Sequence, residues 1–226
     1  MSGAAVPIDL WLWALDCDAA EVLRRSAVLS GAERARAERF VRDRDRVHYI
    51  CGRWRLRCIL GDLAGTPAAA LPLDVDGNGK PFLPGGPVFN LSHAAGLAAL
   101  VVTADTSALL GVDIEGGRPV DAGLDALAFA PEERAALRAV GSTARERAFF
   151  LGWTRKEAVV KATGAGLRAD PGSFAVTLDP DQPRLIRIDG DRADAWRLHD
   201  FRPRHDLAGA IACRTGGREI SVTRHG

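Results

Sequence analysis

Lysine is the scarce charge in this chain: of 30 basic side chains only Lys80, Lys156 and Lys161 are lysines, and all the others are arginines. The arginine bias itself says little, but lysine is a compact ammonium that can give up its proton. Three lysines confined to two short segments therefore direct attention there. Long apolar runs are also missing. No stretch of 18 apolar residues occurs, which excludes a transmembrane helix. Met1 to Leu15 lacks a basic leader and carries Asp9 inside its apolar run, so no secretory signal is expected. The four cysteines, Cys17, Cys51, Cys58 and Cys213, show no CxxC spacing, which argues against a zinc site and a disulfide framework. A cytoplasmic protein with free, mostly buried thiols is expected.

At 226 residues, 47% apolar and 26% charged, the chain can build a sizeable core and falls between one large domain and two small ones. Its formal net charge of +1 hides an asymmetry. Between Arg24 and Arg57 eleven arginines face four acids, a local charge of +7. Such a patch suits phosphates, nucleic acid or an acidic protein.

Ile8 to Leu15 is apolar at alternate and intervening positions alike, as in a strand buried on both faces. Ser30-Gly-Ala-Glu33 is a capping box that predicts a helix through Phe40 and Val41. Asp43 or Asp45 would cap a second helix, with Val47, Ile50, Trp54 and Cys58 at helical spacing and Arg46, Arg53 and Arg57 on the next stripe. A turn at Asp76 to Gly79 and another at Pro84 to Pro87 precede strands at Val88 to Leu91, Leu97 to Thr103 and Ala108 to Glu115, read as an antiparallel meander. Pro131 opens a helix. Thr143-Ala-Arg-Glu146 reads as a capping box for another, from about Arg145 to Thr163, ended by Gly164. Strands resume at Phe174 to Leu178, Arg184 to Ile188, Trp196 to Phe201 and Leu207 to Cys213. The order predicts an α+β fold of two halves, 1–107 and 108–226, packed as one unit.

Three segments could carry chemistry. In Gly111-Val-Asp-Ile-Glu115, strand alternation sends Asp113 and Glu115 to one face, the type of pair a hard divalent cation takes; on its own, D-x-E is more often an exposed edge strand. In Trp153-Thr-Arg-Lys-Glu-Ala-Val-Val-Lys161, the spacing of four aligns Trp153, Glu157 and Lys161; on its own, this is more often a solvated ion pair worth a few tenths of a kcal/mol. Gly79-Lys80-Pro81 projects an ammonium from a stiff loop, and Asn90-Leu-Ser92-His93 ends a strand with groups able to bind phosphate; a hairpin rim with ordinary capping explains it equally. No GxxxxGK[ST] occurs, so a P-loop is excluded. Together the three hold every lysine, an acid pair and a third acid, which makes a Mg²⁺ site beside a polyphosphate surface a coherent joint reading.

GVDIE followed some forty residues on by WTRKEAVVK, with GKP and FNLSH before them, resembles the 4′-phosphopantetheinyl transferases, specifically the long, monomeric type that activates peptide and polyketide synthases. The resemblance extends to the N-terminal Arg-rich helices and to Gly164-Ala-Gly-Leu167. It implies two similar α+β halves related by a pseudo-two-fold, each an antiparallel sheet with packed helices, and coenzyme A between them. It further implies Mg²⁺-dependent transfer of the phosphopantetheine arm, with Mn²⁺ as an alternative metal, to a serine of an acyl, peptidyl or polyketide carrier protein, releasing 3′,5′-ADP. Carried over by residue, Asp113, Glu115 and Glu157 would hold the metal and the pyrophosphate. Lys161 would stabilise the pyrophosphate or protonate the leaving phosphate. Glu157, or a metal-bound water held by Glu115, would take the serine proton. Lys80, Pro81, Ser92 and His93 would line the nucleotide end, and Lys156 would join the coenzyme-binding lysines. Where relatives often carry lysines in the first helix, this chain offers Arg36 and Arg39, then Arg46 and Arg53, for the coenzyme phosphates. The Gly116 to Ala130 loop is a candidate docking surface. A metal-dependent nuclease fits poorly, since such sites usually place an acid two residues before the lysine. A nucleic-acid-binding module would leave both acidic motifs unexplained, so neither nucleic acid nor a membrane is an expected partner. A coenzyme A binder without turnover is disfavoured by the intact acids.

Overall fold

The computed structural model describes residues 3–77, 79–116, 120, 123–166 and 170–225. In chain order the elements are β1 (Val6–Ala14), α1 (Ala19–Ser26), α2 (Gly31–Glu38), α3 (Asp43–Ala64), β2 (Asp74–Val75), β3 (Pro81–Phe82), β4 (Val88–Ala94), β5 (Leu97–Thr103), β6 (Leu109–Gly116), α4 (Leu124–Ala128), α5 (Pro131–Ala139), α6 (Ser142–Thr163), β7 (Phe174–Val176), β8 (Leu185–Ile188), β9 (Trp196–Arg204), β10 (Leu207–Arg214) and β11 (Ile220–His225). This is a mixed α+β molecule with antiparallel sheets and packed helices.

Its plan is a repeat. One sheet runs β1-β5-β4 and the other β6-β10-β9. Each is built from a strand, then a 22-residue helix (α3, α6), then a small hairpin (β2–β3, β7–β8), then an antiparallel strand pair. Both long helices end on a glycine in the left-handed region, Gly65 at φ 62° and Gly164 at φ 72°, where a Cβ would be strained. A buried ion pair recurs at the same place. Glu33 accepts from Ser30 N at the start of α2 and from Arg57 Nε of α3 at 2.7 Å. Glu133 accepts from Ala130 N at the start of α5 and from Lys156 Nζ of α6 at 2.8 Å. Each cation also donates to two carbonyls past its helix, Ala68 and Leu71 in one half, Pro171 and Phe174 in the other.

Val6, Ile8 and Leu10 of β1 face a central core with Leu110, Val112, Ile114 and Ile211, while Trp11 and Trp13 on its other face pack towards Leu56 and Leu60 of α3. Each fully buried aliphatic side chain contributes about 1.5–3 kcal/mol. The expected three-strand meander is corrected: β4 and β5 pair, but β6 joins β10 in the other sheet. β4 and β6 still run side by side and parallel, because Val112 N donates to Asn90 Oδ1 (2.9 Å) and Ile114 N to Ser92 Oγ (3.4 Å). Side chains replace a backbone ladder, and the two halves meet there.

Other boundaries move for local reasons. The Ser30 capping box forms, but α2 stops at Glu38, leaving Val41 fully exposed and Phe40 leaning on Tyr49. Neither Asp43 nor Asp45 caps α3; both lie in its first turn behind Arg42, where they meet the positive end of the helix dipole. Thr143 is inside α6, which begins behind Gly141, a residue with no side chain to cap. β11 carries only two aliphatic residues and was not foreseen. It pairs in parallel with β1 from Val6–Ile220 to Trp11–His225, so residues of the 108–226 segment complete the sheet of the 1–107 segment. Asn78 of the expected turn, Leu167 and residues 117–119, 121 and 122 of the Gly116 to Ala130 loop lie outside the described residues. All four cysteines are free thiols, Cys51 and Cys213 buried.

Candidate active site

Gly111 explains how strand and helix meet. A Cβ there would lie 2.1 Å from the carbonyl oxygen of Ala158 and 2.5 Å from the nitrogen of Ala162. Only glycine lets α6 approach β6 this closely, and the approach brings Glu157 and Lys161 beside the acids of the strand. Asp113 is 4% exposed. Its Oδ1 accepts from Lys161 Nζ at 2.6 Å and from Ser92 Oγ at 3.0 Å. Lys161 Nζ also donates to Ser92 Oγ at 2.8 Å. Asp113 Oδ2 is buried with no hydrogen-bond partner among the described residues, an arrangement that costs about 1–3 kcal/mol unless something satisfies it.

Burial pushes the Asp113 carboxyl up to about 6, against the Lys161 ammonium and the Ser92 bond that favour its charged form, while nearby Glu115 adds to the rise. Burial likewise raises Glu157, with Lys161 opposing and Glu115 reinforcing. These couplings put Asp113, Glu115, Glu157 and Lys161 in one electrostatic cluster. They do not stand as a closed cage: among the described residues no three His, Cys, Asp or Glu side chains form a ready ligand set.

A cleft of about 510 Å³ opens beside the cluster. The first half contributes Lys80, Pro81, Asn90 and Leu91, α6 contributes Trp153, Glu157, Val160 and Lys161, and α4 contributes Leu124 and Leu127.

Several of the expected coenzyme-binding side chains make contacts within the protein. Lys156 lines the same cleft, but its ammonium is engaged within the protein, donating to Glu133, Pro171 O and Phe174 O over the Phe174 ring. Lys80 keeps its place in the cleft, but its Nζ is 2.9 Å from Lys161 O and 3.5 Å from Leu110 O. Burial lowers its pKa. Ser92 and His93 separate, because adjacent strand residues face opposite sides. Ser92 is buried in the cluster, and His93 is exposed on the far face. Arg36 and Arg46 are exposed, the first over the Tyr49 ring and the second bonded to Asp43, whereas Arg53 is turned inward towards Glu33 at 3.5 Å. No hydrogen bond or ion pair links these three to Asp113 among the described residues.

The sequence reading missed Arg44 and His48. Both lie on α3 against the β4–β5 turn, with Gly96 at φ 77° and Asp16 bonded to His48 at 2.8 Å. Their signal was their i, i+4 spacing on one helix face. The buried ion pairs of Glu33 and Glu133 were missed as well. Trp54 and Trp153 each precede a C-terminal glycine by eleven residues, with Arg57 and Lys156 at the same offset, and that internal match was the signal available.

The 4′-phosphopantetheinyl transferase superfamily model matches residues 109–212, from β6 through α6 to β10. The 4′-phosphopantetheinyl transferase HetI of Nostoc is 34% identical over 213 residues, 91% of this chain and 86% of the relative. The 4′-phosphopantetheinyl transferase psf-1 of Bacillus pumilus is 32% identical over 80% of this chain and 77% of its own length. The 4′-phosphopantetheinyl transferase Sfp of Bacillus subtilis is 26% identical over 82% and 83%. Similarity along nearly the whole chain, with the family match covering the strand and helix that carry Asp113, Glu115, Glu157 and Lys161, makes this chain a member of the 4′-phosphopantetheinyl transferase superfamily.

Proposed function

We propose that the chain transfers the 4′-phosphopantetheine group of coenzyme A to a serine of an acyl, peptidyl or polyketide carrier protein, in a Mg²⁺-dependent reaction that leaves 3′,5′-ADP. The observation that carries this reading is Asp113, buried where the halves meet, with one oxygen held by Lys161 and Ser92 and the other unpartnered. An orphaned carboxylate oxygen beside two further carboxylates fits a hard cation, which commonly takes one or two protein oxygens and fills its shell with water and substrate phosphates. Asp113, Glu115 and Glu157 would hold it, and when bound it supplies charge neutralisation at the pyrophosphate.

The chain's own residues do the rest. The serine oxygen bonds to the pantetheinyl phosphorus, the bond from that phosphorus to the bridging pyrophosphate oxygen breaks, and the hydroxyl proton passes to a carboxylate. Glu157 suits that role, since its burial makes it a better proton acceptor than a solvated carboxylate. Lys161 faces the negative charge that moves onto the leaving 3′,5′-ADP. Arg44 beside His48 at the β4–β5 turn, with His93 exposed on β4, would offer hydrogen-bond donors to the coenzyme phosphates. We place the protein in the cytoplasm as a monomer serving secondary-metabolite synthases. No described helix is long and apolar enough to cross a membrane.

Intact-mass spectrometry of an apo carrier protein incubated with the chain, coenzyme A and Mg²⁺ tests this. A gain of about 340 Da, lost with EDTA and lost in Asp113→Ala, is expected. Lys161→Ala should lower kcat about 10²–10³-fold with a smaller effect on coenzyme A affinity. A full gain with EDTA, or with Asp113→Ala, would remove the metal assignment.

A further inference from the structure

We propose that Lys80 is a positioning residue: its ammonium anchors the last turn of α6, and so sets Lys161 and Glu157 against the carboxylates of β6. The catalytic part rests on the transferase reading; the anchor itself does not.

Lys161 O belongs to the final turn of α6, where carbonyls have no intrahelical donor. Lys80 Nζ donates to it at 2.9 Å and reaches Leu110 O, at the start of β6, at 3.5 Å. One ammonium thus touches the end of the helix and the beginning of the strand whose side chains make the cluster. A cation there also meets the negative end of the helix dipole. The hairpin that presents Lys80 is braced. Lys80 N donates to Asp76 Oδ1 and Asp76 N to Lys80 O, both at 2.9 Å, Gly79 has φ 81°, and Pro81 follows. Lys161 is therefore held at both ends by the first half of the chain, its carbonyl by Lys80 and its ammonium by Ser92. α6 has no side-chain cap at its N-terminus; Arg155 and Lys156 fix its middle through buried hydrogen bonds, and Lys80 adds a contact at its C-terminal turn. A displacement of about 1 Å in a catalytic group can cost on the order of 10²-fold in rate.

The test compares wild type with Lys80→Met and Lys80→Arg in the full chain. Lys80→Met should lower kcat for carrier modification about 30-fold. Its Kd for coenzyme A by calorimetry should stay within about twofold, with an unchanged slope of log Kd against log salt. Amide exchange in residues 159–163 should speed up. Lys80→Arg, whose guanidinium reaches the same carbonyl, should recover part of both losses, and it carries the test if the methionine variant does not fold. A coenzyme A affinity weakened about tenfold with a shallower salt slope would make Lys80 a phosphate contact and overturn the proposal. Unchanged kcat and unchanged exchange would overturn it too. If wild type modifies no carrier, the transferase reading falls, while the exchange comparison still decides whether Lys80 anchors α6.

Discussion

Asp113 is costly to bury, since a carboxyl 4% exposed is stable only with partners. Lys161 and Ser92 supply them on one oxygen. A carboxyl whose folded-state pKa is raised binds its proton more readily folded than unfolded. Its favourable contribution is therefore complete below the unfolded value of 3.8 and is lost as pH rises through about 6. A rise from 3.8 to about 6 corresponds to about 3 kcal/mol. Asp113→Asn cannot titrate, so the stability of wild type relative to this variant should fall by about that amount between pH 4 and pH 7, measured by urea unfolding without added metal. A constant difference across that range would show that the buried carboxyl is not destabilised by its surroundings. Glu133 and Lys156 illustrate the opposite case. Every polar atom of that pair is satisfied, and the pair belongs to the frame of the second half.

At the scale of elements, the decisive contact is the crossing of α6 over β6. The helix backbone stands where a Cβ of residue 111 would be, 2.1 Å from Ala158 O. Backbone cannot yield as a flexible side chain can, so Gly111→Ala must push the helix outward. We expect a loss of about 3 kcal/mol in denaturant unfolding, together with weaker transfer because Glu157 and Lys161 retreat from Asp113. Stability within about 0.5 kcal/mol of wild type would mean that helix and strand are less tightly registered than the geometry implies. The bodies of α2, α3, α5 and α6 were readable from sequence, because apolar spacing and a terminal glycine act over a few positions, whereas α1 and α4 and the caps of α3 and α6 were not. The meander was misread. Short turns specify that strands are neighbours in order, whereas the partner of β6 depends on β10, about a hundred residues on.

For the molecule as a whole, β11 ties the end of the chain to its beginning. It covers the outer edge of β1, packs Ile220 and Val222 against the central core, and stacks His225 on Trp11 with ring centroids 4.5 Å apart. Ending the chain after Gly217 would bare the β1 edge and part of the core. We expect the melting temperature to fall by about 10 °C and the shortened protein to self-associate through the open edge. An unchanged melting temperature would make β11 dispensable. The +7 segment also looks different in the folded molecule. Arg57 is buried on Glu33, Arg53 is turned towards it, and Arg25 lies over Trp54, so only part of that charge faces solvent.

The sequence by itself determined the α+β class, the two long helices with the Gly164 end of α6, and the acid and lysine positions of the two motifs, because each depends on residue type and spacing within one element. The tertiary structure decided which groups meet. It separated Ser92 from His93 by strand alternation, tied Lys156 into a buried pair, turned Arg53 towards Glu33 and Lys80 onto the end of α6, and brought β11 back to β1. Such pairings are chosen by which faces and edges remain open once distant segments pack, and local spacing carries no record of that competition.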